Sequence, residues 1–262
     1  MDRIILTGMV LETSPSGDYD RRLVILTKER GKIVAFARGA RRQGSTLLAC
    51  SQPFTLAKFS MVEGRSAYNV VGLEGIRFFP ELSQDVELTC YGSYMLEFAE
   101  YMTEEGNDES EVLKLLYQSL RAITNGKIGP KLARVVFALK MLYINGEGPG
   151  TDSCVRCRST APEYVFSVRS GGRVCKKCAG DDYSAQARRE KELRQGIADN
   201  DFMNLSESAW YAIRFIGATP PEKLYSFTLS EEVLAELTNA VDAFVRERVR
   251  HTFRSLAFLE ML

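Results

Sequence analysis

The stretch Arg21–Arg42, RRLVILTKERGKIVAFARGARR, decides how the rest of the chain is read. Two apolar runs, RLVILT and KIVAFA, are rich in β-branched residues and separated by the turn-forming ERG, which is the pattern of a hairpin. Basic residues gather around it. Arg21 and Arg22 enter the first strand, Lys28, Arg30 and Lys32 occupy the turn, and Arg38, Arg41 and Arg42 follow the second. Because side chains alternate along a strand, Lys32, Val34, Phe36 and Arg38 share one face. Gly39 and Gly44 flank the last arginines and free that loop to approach another backbone closely.

Outward from this hairpin, RIILTGMVLE precedes it, and FTLAKF and AYNVVGLEGIRFF follow, with turn-rich pieces between. Five strands in about eighty residues fit a small closed barrel, for which the OB-fold is the leading five-stranded solution; strand pattern alone also fits an SH3-like barrel. Gly8 and Gly72, inside strands, mark expected bulges or bends. OB-folds hold single strands with Lys and Arg on phosphates and bases stacked on aromatic rings. Tyr19 and Phe36 are candidate rings, although a core position is the stronger expectation for Phe36, since aromatics in small barrels mostly point inward.

From Asp85 the hydrophobic period changes. Leu88, Tyr91, Met95, Phe98 and Met102 recur at helical spacing, and a second helix is expected from a Ser110 cap to Asn125-Gly126. KLARVVFALKMLYING is apolar almost all round, the mark of a central helix. After residue 195, SESAWYAIRFIG and the long run SEEVLAELTNAVDAFVRERVRHTFRSLAFL resume the helical period, the latter with Thr228 and Glu231 as a capping box.

Between these helical parts stand two Cys-x-x-Cys pairs, Cys154/Cys157 and Cys175/Cys178, 17 residues apart. That spacing fits a four-cysteine zinc site, in which two turns aim four thiolates at one ion. EYVFSV and GRVC between the pairs suggest a hairpin turning at Gly171-Gly172. A single pair would serve thioredoxin-like redox chemistry, and disulfides suit an oxidising compartment, so both readings are weaker. Four protein ligands close the coordination shell and make a structural Zn²⁺, not a catalytic one, the expectation. Arg156, Arg158, Arg173, Lys176 and Lys177 surround the sulfurs and would offset their negative charge.

Net charge is zero, yet it is unevenly spread. Residues 1–80 carry 12 Lys+Arg against 7 Asp+Glu, residues 81–150 carry 6 against 11, 151–195 carry 10 against 6, and 196–262 carry 6 against 10. Alternating blocks suggest separate units, the basic ones able to meet a polyanion. The only histidine, His251, has no evident triad partner, which argues against most Ser/His and Cys/His catalysis. A zinc deaminase would need a His-x-Glu signature that this sequence lacks. There is no signal peptide pattern and no apolar stretch long enough to span a bilayer, so a cytoplasmic protein without membrane association is expected.

The GDYD turn, VILTKERGKI, the RGARR loop, QPF at 52–54 and CYGSYMLEFAE, taken in order, make the chain resemble the RecO family of bacterial recombination mediators along nearly its whole length. The resemblance implies a multidomain α+β protein. It would consist of an OB-fold barrel over 1–80, a helical domain beginning over 81–150, a four-cysteine zinc module over 151–195 and returning helices over 196–262. It further implies a non-enzymatic, nucleoid-associated role in DNA repair: binding single- and double-stranded DNA, promoting strand annealing and, with RecR, helping to load RecA onto strands coated by single-stranded-DNA-binding protein. By position, DNA contacts would fall on Lys32, Arg38, Arg41 and Arg42, with Arg21, Arg22, Lys28 and Arg30 nearby. The tail of the coating protein would dock on the helical domain, where Lys131, Arg134 and Lys140 are weaker candidates. The rival reading is an adaptor whose barrel contacts only proteins.

Overall fold

The computed structural model describes residues 3–180, 183–184 and 201–259. Five strands close a barrel: β1 (Arg3–Ser16), β2 (Asp20–Thr27), β3 (Gly31–Ala37), β4 (Leu56–Glu63) and β5 (Tyr68–Arg77). Their order is β1-β2-β3-β5-β4, and β4 returns to β1. Only the β3–β5 pair is parallel, which makes the barrel OB-like. Alternation decides what fills it. On β3, Ile33, Ala35 and Ala37 are buried and join Val10, Leu23, Ile25, Phe59 and Met61 in one apolar core. Phe36 belongs to the opposite face. It lies half-buried outside the barrel with Lys32 and Val34, so the expectation of a core position for it is corrected by the strand's own pleat.

Both strand glycines have physical reasons. At Gly8 strand β1 passes from its pairing with β4 to its pairing with β2, and a methyl group there would sit 2.6 Å from the Leu26 carbonyl. Gly72 faces Ser60 beside a bulge that leaves Val71 unpaired.

The α-helices include α1 (Leu47–Cys50), α2 (Val86–Met102), α3 (Ser110–Thr124), α4 (Pro130–Ile144), α5 (Glu207–Ala218), α6 (Glu231–Arg248) and α7 (Arg254–Leu259). The chain forms two compact units, one running to Phe137 and taking up the residues from Thr252 onward, the other spanning Ala138–His251. The cut falls within α4, whose residues Leu132–Leu142 are buried nearly all round, as its uninterrupted apolar pattern predicts.

In the first unit, Asp85 starts α2 by accepting the Leu88 N–H at 3.0 Å. Ser110 is not a cap as expected but the first helical residue, with its N–H held by Asp108 at 3.1 Å. The long run after Ser230 is two helices, not one. Phe253 interrupts it because its ring is buried against Tyr94, Phe98 and Tyr101, with centroids 5.3, 4.7 and 6.2 Å away. Burying such a ring contributes about 2–3 kcal/mol, more than one broken turn costs. The new helix start is capped from α2: Glu97 accepts the Arg254 N–H at 2.9 Å and the Ser255 hydroxyl at 2.6 Å.

The second unit holds β6 (Tyr164–Ser167), β7 (Gly172–Cys175) and β8 (Phe202–Met203), ordered β7-β6-β8. The β6–β7 hairpin is the one expected from EYVFSV and GRVC. Phe166 packs between Trp210 of α5 and Phe244 of α6, at 5.8 and 5.7 Å, and so ties the sheet to both helices. Ser230 caps α6 by accepting from Val233 N–H; the Thr228–Glu231 box is therefore misplaced by two residues. Among the described residues no helix is long and apolar enough to cross a membrane.

Candidate nucleic-acid interface and metal centre

The β2–β3 register, Thr27 opposite Gly31 through to Arg21 opposite Ala37, sends the chain before β2 and the chain after β3 to the same end of the barrel. Two loops meet there. Arg41 N–H donates to the Tyr19 carbonyl at 2.8 Å, an Arg41 guanidinium N–H donates to Gly17 at 3.3 Å, and Asp20 accepts the Gly39 N–H at 2.7 Å. Gly17, Gly39 and Gly44 all have positive φ, which the turns require. Arg38, Arg41 and Arg42 are exposed, and among the described residues none has a carboxylate ion-pair partner. Arg42 lies over the Tyr19 ring at 5.1 Å.

The other basic candidates are placed differently. Arg21 is turned inward, donating to the Ser51 hydroxyl and carbonyl at 3.0 and 3.2 Å; burial and then the neighbouring Arg41 charge push its guanidinium down. Arg22 faces Glu12 at 4.0 Å. Lys28 and Arg30 are exposed at the hairpin turn, the opposite end of β3 from Arg38 and roughly 25 Å away by strand rise. Lys32 donates to the Glu100 carbonyl in the last turn of α2. The eight cations therefore divide between the two ends of the barrel.

The residues considered for tail docking fare similarly. Lys131 is exposed, but Arg134 is 4% exposed and lies over the Tyr94 ring at 5.8 Å. Lys140 is 6% exposed and donates to the Gly217 carbonyl at 2.9 Å. As docking candidates Arg134 and Lys140 are thus buried, whereas Lys131, in the first turn of the same helix, reaches solvent.

In the second unit the four sulfurs of Cys154, Cys157, Cys175 and Cys178 lie within 4.8 Å of one another, with Cys157 and Cys175 at 3.7 Å. Ligands at about 2.3 Å in a tetrahedron stand ~3.8 Å apart, so the cluster fits one four-coordinate ion. Burial pushes the Cys154 thiol up, but backbone N–H groups of Cys175, Cys157 and Arg156 more than offset this, and it falls to about 6. Crowding by the Cys157 and Cys175 sulfurs holds Cys178 up at about 12. A cation among them would remove that conflict by taking all four as thiolates. Gly172, at φ 137°, brings β7 so close to Gly150 that a methyl group would sit 2.2 Å from its carbonyl. Arg156 donates to the Cys178 carbonyl at 2.7 Å and Arg173 to Ala161 at 2.8 Å while lying 3.6 Å over the Tyr164 ring. These arginines lace the cysteine loops together.

Two family models match end to end. Recombination protein O N terminal covers residues 1–79, the barrel, and Recombination protein O C terminal covers 83–257. The chain belongs to the RecO family. DNA repair protein RecO of Acetivibrio thermocellus is 28% identical over the whole of this chain and 98% of its own length. The protein of the same name from Bacillus subtilis is 28% identical over 97% of this chain and 93% of its own. That from Alkaliphilus metalliredigens reaches 39% over 67% of this chain and 72% of its own. This RecO-family chain is thus a DNA repair protein carrying a four-cysteine cluster able to hold a metal.

Sequence reading missed the pairing of Tyr19 with Arg42. The signal was available: extending the hairpin register outward sets residues near 19 opposite those near 39. It also missed Glu97 and Phe253, whose partners are about 155 residues away in the chain and carry no local signature.

Proposed function

We propose that this chain is a DNA-binding recombination mediator. In this reading the barrel binds single- and double-stranded DNA, promotes annealing of complementary strands and, with RecR, helps load RecA onto strands coated by single-stranded-DNA-binding protein. The role is one of binding and assembly, without a catalytic step. The supporting observation is the cluster Arg38, Arg41 and Arg42, exposed together and without carboxylate partners among the described residues. Guanidinium groups held this way neutralise phosphates and release counterions, and bridging two strands lowers their mutual repulsion. Lys28 and Arg30 at the far end are a second, lesser contact. Arg21 is tied to Ser51, Arg22 faces Glu12 and Lys32 holds the end of α2, so these three are lesser contacts.

The ion among the cysteines is Zn²⁺ with a structural role, since four thiolates leave no position for substrate or water. Arg156 and Arg173 orient its loops. The segments 1–80, 81–150, 151–195 and 196–262 act as the functional divisions of the chain, and the coating protein's tail docks on the helical part, where Lys131 is the accessible one of the three candidates. Retardation of a labelled oligonucleotide at low salt tests the central claim. An unshifted oligonucleotide would favour the adaptor reading, in which the barrel contacts only proteins.

A further inference from the structure

Tyr19 is 53% exposed and has no ring partner among the described residues. One side is occupied by the Arg42 guanidinium, 5.1 Å from the centroid. The loop carrying the ring is not loose: its carbonyls at Gly17 and Tyr19 and its carboxylate at Asp20 are all bonded to the Gly39–Arg41 segment. A ring presented this way is already in place for a ligand and loses little entropy on contact.

Charge separates the work of the two loops. The Tyr19 turn carries Asp18 and Asp20, whereas the facing loop carries Arg38, Arg41 and Arg42. Phosphate is disfavoured beside the acidic turn, but a neutral, flat base is not. The arginines meanwhile hold the adjoining phosphates. Bases inside a duplex have both faces stacked on neighbours, so away from duplex ends the ring can take only an unpaired base.

We propose that Tyr19, backed by Arg42, is a stacking platform for one unpaired nucleobase, making this end of the barrel selective for single strands over intact duplex. The inference rests on the DNA-binding reading above and adds the substrate form and the residue that reads it. Stacking of a base on an aromatic side chain makes on the order of a ten-fold difference in affinity.

The test compares a single-stranded oligonucleotide containing 2-aminopurine with the matching duplex, using the full chain. Tyr19→Ala should weaken single-strand binding roughly ten-fold and abolish the 2-aminopurine quenching, while duplex affinity stays within about two-fold. Tyr19→Phe should retain both signals, and the melting temperatures should coincide because the ring is outside the core. Equal losses on both DNAs, or no loss on either, would overturn the platform. The Arg38→Ala/Arg41→Ala/Arg42→Ala variant separates the two levels. If it loses both DNAs while Tyr19→Ala alters neither, the binding reading stands and the platform falls. If the triple variant binds both as the unaltered chain does, the binding reading fails and takes the platform with it.

Discussion

Lys32 donates its ammonium to the carbonyl of Glu100, in the last turn of α2. Lys140 does the same for Gly217, in the last turn of α5. Helix carbonyls near the C-terminus lack intrahelical partners and carry the negative end of the helix dipole, so a cation there is favoured twice over. Two lysines that a charge inventory offers to ligands thus each hold a helix end.

Lys32→Ala should accordingly lower stability by about 1 kcal/mol and leave the salt dependence of DNA binding nearly unchanged. Lys140→Met, in a drier setting, should cost about 1–3 kcal/mol because the Gly217 carbonyl loses its donor. Urea denaturation measures both. A Lys32→Ala chain of unaltered stability and weakened DNA binding would reverse this assignment.

Replacing Arg38, Arg41 and Arg42 together by alanine should weaken DNA binding and flatten the plot of log affinity against log salt. Each phosphate contact contributes about 0.7 to the single-strand slope, so three lost contacts reduce it by roughly 2. Fluorescence anisotropy across a salt series reads the slope directly, and thermal unfolding should be little affected since all three side chains are exposed.

Metal removal should act on the second unit. A chelator strong enough to extract the ion leaves four crowded sulfurs whose protonation states conflict. A loss of about 3 kcal/mol corresponds to a fall in melting temperature of roughly 6–12 °C for a body of this size. Hydrogen exchange should rise first in β6 and β7. Colorimetric titration of the released ion should give one equivalent, and Cys154→Ser with Cys175→Ser should give none.

The half-buried Glu100 supplies a pH test. Burial raises its carboxyl above the usual value, the neighbouring Glu12 and Glu97 raise it further, and Lys32 and Arg22 oppose them. The folded state therefore keeps this proton to higher pH than the unfolded chain. Its contribution is most favourable below the ordinary carboxylate value and declines as pH rises through the raised one. Glu100→Gln should melt above the unaltered chain at about pH 8 and converge with it near pH 4. A gap that stays constant across that range would show that desolvation of the charge is not the cause.

Much was legible in the sequence because its signals are local. Strand pleat and turn chemistry announce β1 to β5, and two Cys-x-x-Cys turns announce the sulfur cluster, since each depends on neighbours within a few residues. The misreadings have the opposite character. Ser230, not Thr228, caps α6, because several residues there can act as caps and only the backbone path selects one. The core expectation for Phe36 rests on composition, whereas its alternation with Ile33, Ala35 and Ala37 sets it outward.

The sequence by itself determined the five barrel strands, the β6–β7 hairpin, the longer helical stretches and where four thiols must converge, because periodicity and spacing act over short stretches of chain. Only the tertiary structure decided which cations remain in solvent and which cap a helix, where Phe253 breaks the final run, and that Tyr19 meets Arg42. These outcomes turn on contacts between residues far apart along the chain, and desolvation and packing arise only once such residues are brought together.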